Sequence, residues 1–298
     1  MDIVPEIIFW SSEVQLIKPP RIIILDDCLI SISEGILNIS SPPQNNSNSI
    51  LIANVKENFI PKTNLKFPQA PKPYYLTITA KGELLLEDFD MKEPLNLHLH
   101  YLFALDSKKI NPINEVCFCY DDVLLFFQGE YNFEAENSKS SFFFEIPIDF
   151  STEIDVVSFQ TRKNRENHNR LVVHSSGLIQ FKPQLSTFLS GCFYSKMSGK
   201  NEQFELEILE KKVVSSNVKG YVLKGMIVVI EGLIEFEEEK NNRSFALVKN
   251  EKIWPKQELK VVNCLKEKWD FTVVSVGVDG KITSSKGKTV WVNIVYFI

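Results

Sequence analysis

His98 and His100 alternate in Leu97-His98-Leu99-His100-Tyr101, and an extended chain turns both imidazoles to one face, as a strand must to offer two metal ligands. No third ligand is evident nearby. Cys117 and Cys119 repeat this spacing at a strand entry, where two thiols on one face cannot easily pair with each other, so buried structural cysteines are expected. The carboxylate pairs Asp26-Asp27 and Asp121-Asp122 recur just before apolar runs. The third such region reads Lys219-Gly220, so a glycosidase-like carboxylate pair would sit in a repeated loop that one copy lacks. Tyr74, Tyr75, Trp254 and Trp269 lie near loops and are the candidates for stacking on sugar rings, with core filling as the competing role. There is no G-x-S-x-G elbow, phosphate loop, dinucleotide fingerprint or zinc-finger spacing, so neither a catalytic residue nor a metal or other cofactor is expected.

Charge narrows the field further. The net charge of −5 argues against nucleic-acid binding through phosphate neutralisation. The most basic stretch, residues 162–170, is interrupted by Glu166 and reads as a solvated loop. The longest apolar run, residues 225–234, is far too short to cross a membrane and contains Glu231, so membrane insertion is not expected. Five cysteines without a C-x-x-C pair suggest a reducing compartment, and the first residues lack the basic and apolar regions of a signal peptide.

The elements that carry these residues repeat. Glu34-Gly35, Gln128-Gly129 and Glu231-Gly232 each follow an apolar run, and a second set of glycines, Gly82, Gly177 and Gly280, lies 47, 48 and 48 residues further on. Residues 60–67 match residues 254–261 without a gap, and each copy closes on an apolar run at 97–103, 189–194 and 290–297. Superposing Tyr101 on Tyr296 puts His98 on Asn293 and His100 on Val295, and assigns Leu97, Leu99 and Tyr101 to the core face. The histidines then belong to an outward or interface face.

Both sets of glycines are expected to sit in hairpin turns, where positive φ is needed. With 22 Phe and no sustained helical stripe, the chain is expected to be all-β, made of three tandem antiparallel β-sandwich (jelly-roll-like) domains over residues 1–106, 107–196 and 197–298. Residues 201–212 are expected to form a linker and a strand.

The third unit runs from Tyr221-Val222-Leu223-Lys224-Gly225 through Trp254-Pro255 and Val278-Asp279-Gly280-Lys281 to Val290-Trp291-Val292-Asn293-Ile294-Val295-Tyr296-Phe297. It resembles the small β-sandwich modules at the distal ends of phage tail and baseplate proteins, and departs from them in lacking a Pro-Gly-rich loop before the Asp-Gly strand. The resemblance implies a non-enzymatic component of a virion or tail-like particle, assembled in the host cytoplasm. Its partners would be other particle proteins or a host-surface glycan, and its three copies would form either a pseudo-threefold cluster or a string of beads with independent surfaces. An array of carbohydrate-binding modules and, further off, a hydrolase on a β scaffold are the alternatives.

Overall fold

The computed structural model describes residues 7–40, 49–70, 74–87, 93–132, 142–145, 154–162, 165–173, 178–181, 186–194, 202–266 and 271–298. The chain is all-β, and every strand pairing among these residues is antiparallel. Strand β4 (Leu29–Ile39) organises the first sheet. One of its edges pairs with β9 (Leu95–Leu102), and the other is shared by β2 (Val14–Lys18) and β3 (Arg21–Leu25). A second sheet runs β1 (Ile8–Trp10), β5 (Ser49–Val55), β8 (Glu83–Glu87), β7 (Tyr74–Ile78), β6 (Leu65–Gln69). The apolar faces of the two sheets meet in one core that includes Ile30, Leu76, Leu97, Leu99 and Tyr101.

The C-terminal third has the same plan. Strand β22 (Ile227–Phe236) pairs with β27 (Thr289–Phe297) on one edge and with β20 (Val213–Ser216) and β21 (Lys219–Leu223) on the other, and β18 (Glu202–Phe204) flanks β21. Its second sheet runs β19 (Leu206–Ile208), β23 (Arg243–Val248), β26 (Lys281–Ser284), β25 (Phe271–Val276), β24 (Leu259–Cys264). The middle third is one eight-stranded sheet, β10 (Ile110–Pro112), β11 (Cys117–Tyr120), β12 (Leu124–Asn132), β17 (Ser186–Tyr194), β14 (Ile154–Arg162), β15 (Arg165–Val173), β16 (Leu178–Phe181), β13 (Phe142–Glu145). The basic stretch at residues 162–170, expected as a loop, falls largely on β15.

Contacts as well as strand order correspond. Tyr101 donates its hydroxyl to Phe59 O at 3.0 Å, and Tyr296 donates to Ile253 O at 2.7 Å. Both acceptors end short 3-10 turns, Glu57–Phe59 and Glu251–Ile253. Each turn is followed by a residue over which a glycine turn closes. A Cβ on Gly82 would lie 2.7 Å from Ile60, and one on Gly280 2.2 Å from Trp254. These two glycines occupy the expected turns, with φ of 85° and 73°. Gly177 lies outside the described residues, as do residues 150–153, where the middle copy's counterpart of this region begins.

The other three glycines do not sit in turns. Gly35, Gly129 and Gly232 lie inside β4, β12 and β22. The residue just ahead of each neighbouring hairpin crosses directly over them: a Cβ would meet Pro20 at 2.8 Å, Val116 at 3.0 Å and Val218 at 2.7 Å, respectively. Close approach of the crossing residue, through its backbone at Val218 and through its side chain at Val116, is what these positions require, not reversal of the chain. The reversals come earlier, at Asp26-Asp27, Asp121-Asp122 and Lys224-Gly225, all with φ between 49° and 69°. The third hairpin turn is therefore Lys224-Gly225, whereas Lys219-Gly220 opens β21. Residues 201–212 hold β18 and β19.

Candidate functional site

Strands β9, β17 and β27 close the three segments, and their ends converge. Leu102 lies opposite Leu29, Tyr194 opposite Leu124 and Phe297 opposite Ile227, one position after each hairpin. These six residues share a buried cluster with Cys28, Phe118, Tyr120, Phe126, Cys192, Tyr221, Leu223, Val229 and Val295, drawn from all three segments. The Tyr194 and Tyr221 rings stack at 4.7 Å within it. Tyr120 donates its hydroxyl to Asp26 at 2.7 Å, which links the first two hairpins, and Lys224 of the third forms an ion pair with Asp121 of the second.

Polar clamps supplement this core. Gln128, the residue before Gly129, is buried and reaches across to β9. Its Oε1 accepts from Leu102 N at 2.8 Å and its Nε2 donates to Leu102 O at 2.9 Å, the same two bonds a neighbouring strand would make. Glu34 and Glu231, which also precede the in-strand glycines, are buried too. Glu34 lies 3.7 Å from the Arg21 guanidinium, which donates at 2.9 Å to Phe297 O, the counterpart of Leu102. Burial raises the Glu34 pKa above the usual carboxylate value, and Arg21 opposes that shift.

A second pair of clamps holds β9 and β27 to the adjacent sheets. Gln69 accepts from His98 N at 2.8 Å and donates to His98 O at 3.1 Å, and Asn263 accepts from Asn293 N at 2.7 Å. Extending the match of residues 60–67 with 254–261 by two positions aligns Gln69 with Asn263, so this pair was within reach of the sequence. Gln128 as a clamp was not, because its partner lies on a strand of another segment.

Between these strands is a cavity of about 90 Å³. Phe67, His98, His100, Cys192, Asn263 and Asn293 line it, together with neighbours from β6, β9, β17, β24 and β27. His100 is buried. Its Nε2 donates to Val295 O at 3.0 Å, so its Nδ1 must accept from the Ser31 hydroxyl at 2.9 Å. The same Nε2 lies 3.3 Å from His98 Nε2, which leaves the His98 proton on Nδ1, a buried atom without a partner among the described residues. Asn293 Oδ1 likewise has no partner among the described residues, and both atoms belong to residues that line this half-open, mainly apolar cavity.

The histidines thus occupy the junction between segments, the second of the two faces, outward or interface, that the superposition on Asn293 and Val295 leaves open. Burial depresses both pKa values, that of His100 to about 4. Burial also raises the Cys192 thiol well above its usual value, so it stays protonated. All five cysteines are buried and none forms a disulfide, Cys117 and Cys119 included.

These shifts give stability a definite pH dependence. His100 titrates near 6.5 when unfolded and near 4 when folded, so the unfolded chain binds more protons between those values. Its contribution is complete above about pH 6.5 and is lost as the pH falls toward 4, on the order of 3 kcal/mol in all. Urea unfolding of the wild type and of His100→Gln at stepped pH should show the variant losing less stability between pH 7 and 4.

The aromatic candidates fare differently. Tyr74 and Tyr75 are buried, 3% and 1% exposed, and are not a binding surface: both lie on β7, an interior strand flanked by β6 and β8. Trp254 is half-buried, donates its indole N–H to Val248 O at 2.7 Å and packs over Gly280. Trp269 lies outside the described residues. Among the described residues no group of three or more His, Cys, Asp or Glu is placed to hold a metal ion, and no helix is long and apolar enough to cross a membrane. No protein-family model matches the chain, and no curated protein is significantly similar to it.

Proposed function

We propose that this chain is a non-catalytic structural or binding protein. In this reading three tandem β units cluster about a common junction, so that one polypeptide presents what a homotrimer would. The observation that carries it is the shared core. Leu102, Tyr194 and Phe297 are counterparts on the three closing strands, and all three are buried in one cluster. A string of independent beads would bury such residues separately. The junction's ionisable groups favour structure over catalysis, since its histidines are held neutral and the Cys192 thiol protonated.

The setting that suits such a molecule is a symmetric particle, of which a phage tail or baseplate is the case its third unit resembles. There the cluster would dock on other particle proteins. A sugar-binding array is weakened by the burial of Tyr74 and Tyr75 and by the hydrogen-bonded indole of Trp254. Light scattering with small-angle X-ray scattering tests the proposal: a compact 34.2 kDa monomer is expected, and an elongated particle or a discrete oligomer would overturn it.

A further inference from the structure

The three hairpins at the junction differ in one respect. The outer edge of β11 is covered by β10, with Ile110 opposite Tyr120 and Pro112 opposite Phe118. That of β21 is covered by β18, with Glu202 opposite Val222 and Phe204 opposite Gly220. In both cases the covering strand belongs to the chain that has just left the preceding closing strand. No described strand runs along the outer edge of β3.

Burial reflects the difference. All four residues of β11 are buried, whereas all five of β3, Arg21-Ile22-Ile23-Ile24-Leu25, are half-buried. Ile22 and Ile24 pack on the first core and Ile23 and Leu25 on the junction core, so four consecutive aliphatics are committed to the interior yet incompletely covered. Unpaired sheet edges of this kind readily accept another strand.

We propose that the outer edge of β3 is a docking site for an extended segment of a partner protein. The segment carries a lysine or arginine followed by an aliphatic residue, and adds antiparallel to residues 22–25. Its chemistry is read from β10. Lys109, just ahead of Ile110, accepts a bond from Asp121 N at 2.7 Å through its carbonyl and places its ammonium 3.1 Å from the Asp121 carboxylate. Asp26 is the counterpart of Asp121, the first residue of its hairpin turn, and it is exposed. Pro19 and Pro20 end the edge on one side and the Asp26-Asp27 turn on the other, which limits the docked strand to about four residues. The proposal rests on the equivalence of the hairpins and is independent of the kind of particle the chain serves.

The probe is a peptide copying residues 107–114, Ser-Lys-Lys-Ile-Asn-Pro-Ile-Asn, titrated into the full chain and followed through backbone amide resonances. Saturable shifts are expected in residues 21–28, and a peptide with glutamate in place of the second lysine should bind about fivefold more weakly, as reversing one exposed ion pair implies. Absence of any shift in residues 21–28 at millimolar peptide would overturn the proposal. So would shifts confined to residues 117–120, which would mean exchange with β10, or a dimer formed through β3, which would mean that a second copy covers the edge. A compact monomer that ignores the peptide would overturn this inference while leaving the proposed cluster intact.

Discussion

Gly232→Ala should destabilise the fold by about 4 kcal/mol. Gly232 has φ of 137°, outside the region open to L side chains, and leaving that region typically costs 1–3 kcal/mol, by an order-of-magnitude rule. A methyl group there would also stand 2.7 Å from Val218 Cα and 2.8 Å from Asn217 O, and neither atom can rotate away because both are backbone. The crossing is pinned on each side, since Asn217 N donates to Leu233 O at 3.0 Å and Leu233 N donates to the Asn217 side chain. Relieving the overlap would shift β22 and with it the register to β27, adding roughly 1–3 kcal/mol of overpacking. Gly225→Ala is the control. It also has positive φ, 69°, but nothing lies within 4 Å of its Cβ position, so only the backbone cost of about 1 kcal/mol applies. Urea unfolding of both variants separates the two contributions. Equal losses would show that the crossing over Gly232 is not a close backbone contact.

The second large effect is at Gln128. Its side chain satisfies both the N–H and the C=O of Leu102, at 2.8 and 2.9 Å, in a buried setting. Leucine at this position keeps most of the volume and removes both partners. Each buried group left unsatisfied costs about 1–3 kcal/mol, so Gln128→Leu should lose about 4 kcal/mol. The damage is expected at one place, because the clamp joins β12 to the end of β9. Amide hydrogen exchange should speed up at Leu102 and its neighbours while the core around Leu76 and Leu97 stays protected. Uniform acceleration through both would mean that Gln128 acts on global stability and not as a clamp between the first and middle segments. Gln128→Glu keeps the acceptor but forfeits the donor and buries a carboxylate, so it should be at least as damaging.

The all-β class was legible from local chemistry. Phe-, Ile- and Val-rich runs bounded by Gly and Asp turns can only form short paired strands, and turn conformation depends on the few residues within the turn. Gly82 and Gly280 follow the local rule for that reason. So do the closing strands and the two-faced character of β9, since a period of two assigns Leu97, Leu99 and Tyr101 to one side and His98 and His100 to the other.

Position in space decided the rest. Glu34-Gly35 and its counterparts look like turns because glycine after a polar residue usually makes one. These glycines are instead places where the chain entering the neighbouring hairpin, at Pro20, Val116 or Val218, crosses the strand, and nothing in the dipeptide itself separates the two uses. The turn at Lys224-Gly225 escapes the sequence for the complementary reason: lysine seldom adopts positive φ, and the paired strands hold it there. Tyr74 and Tyr75 look available because they lie near loops, but Tyr74 packs into the first core and Tyr75, the next residue along β7, is buried as well. The meeting of Leu102, Tyr194 and Phe297, the clamp from Gln128 and the uncovered edge of β3 exist only once the segments are packed together. They join residues far apart in the chain, and strand pattern carries no information on which closing strand lies beside which hairpin.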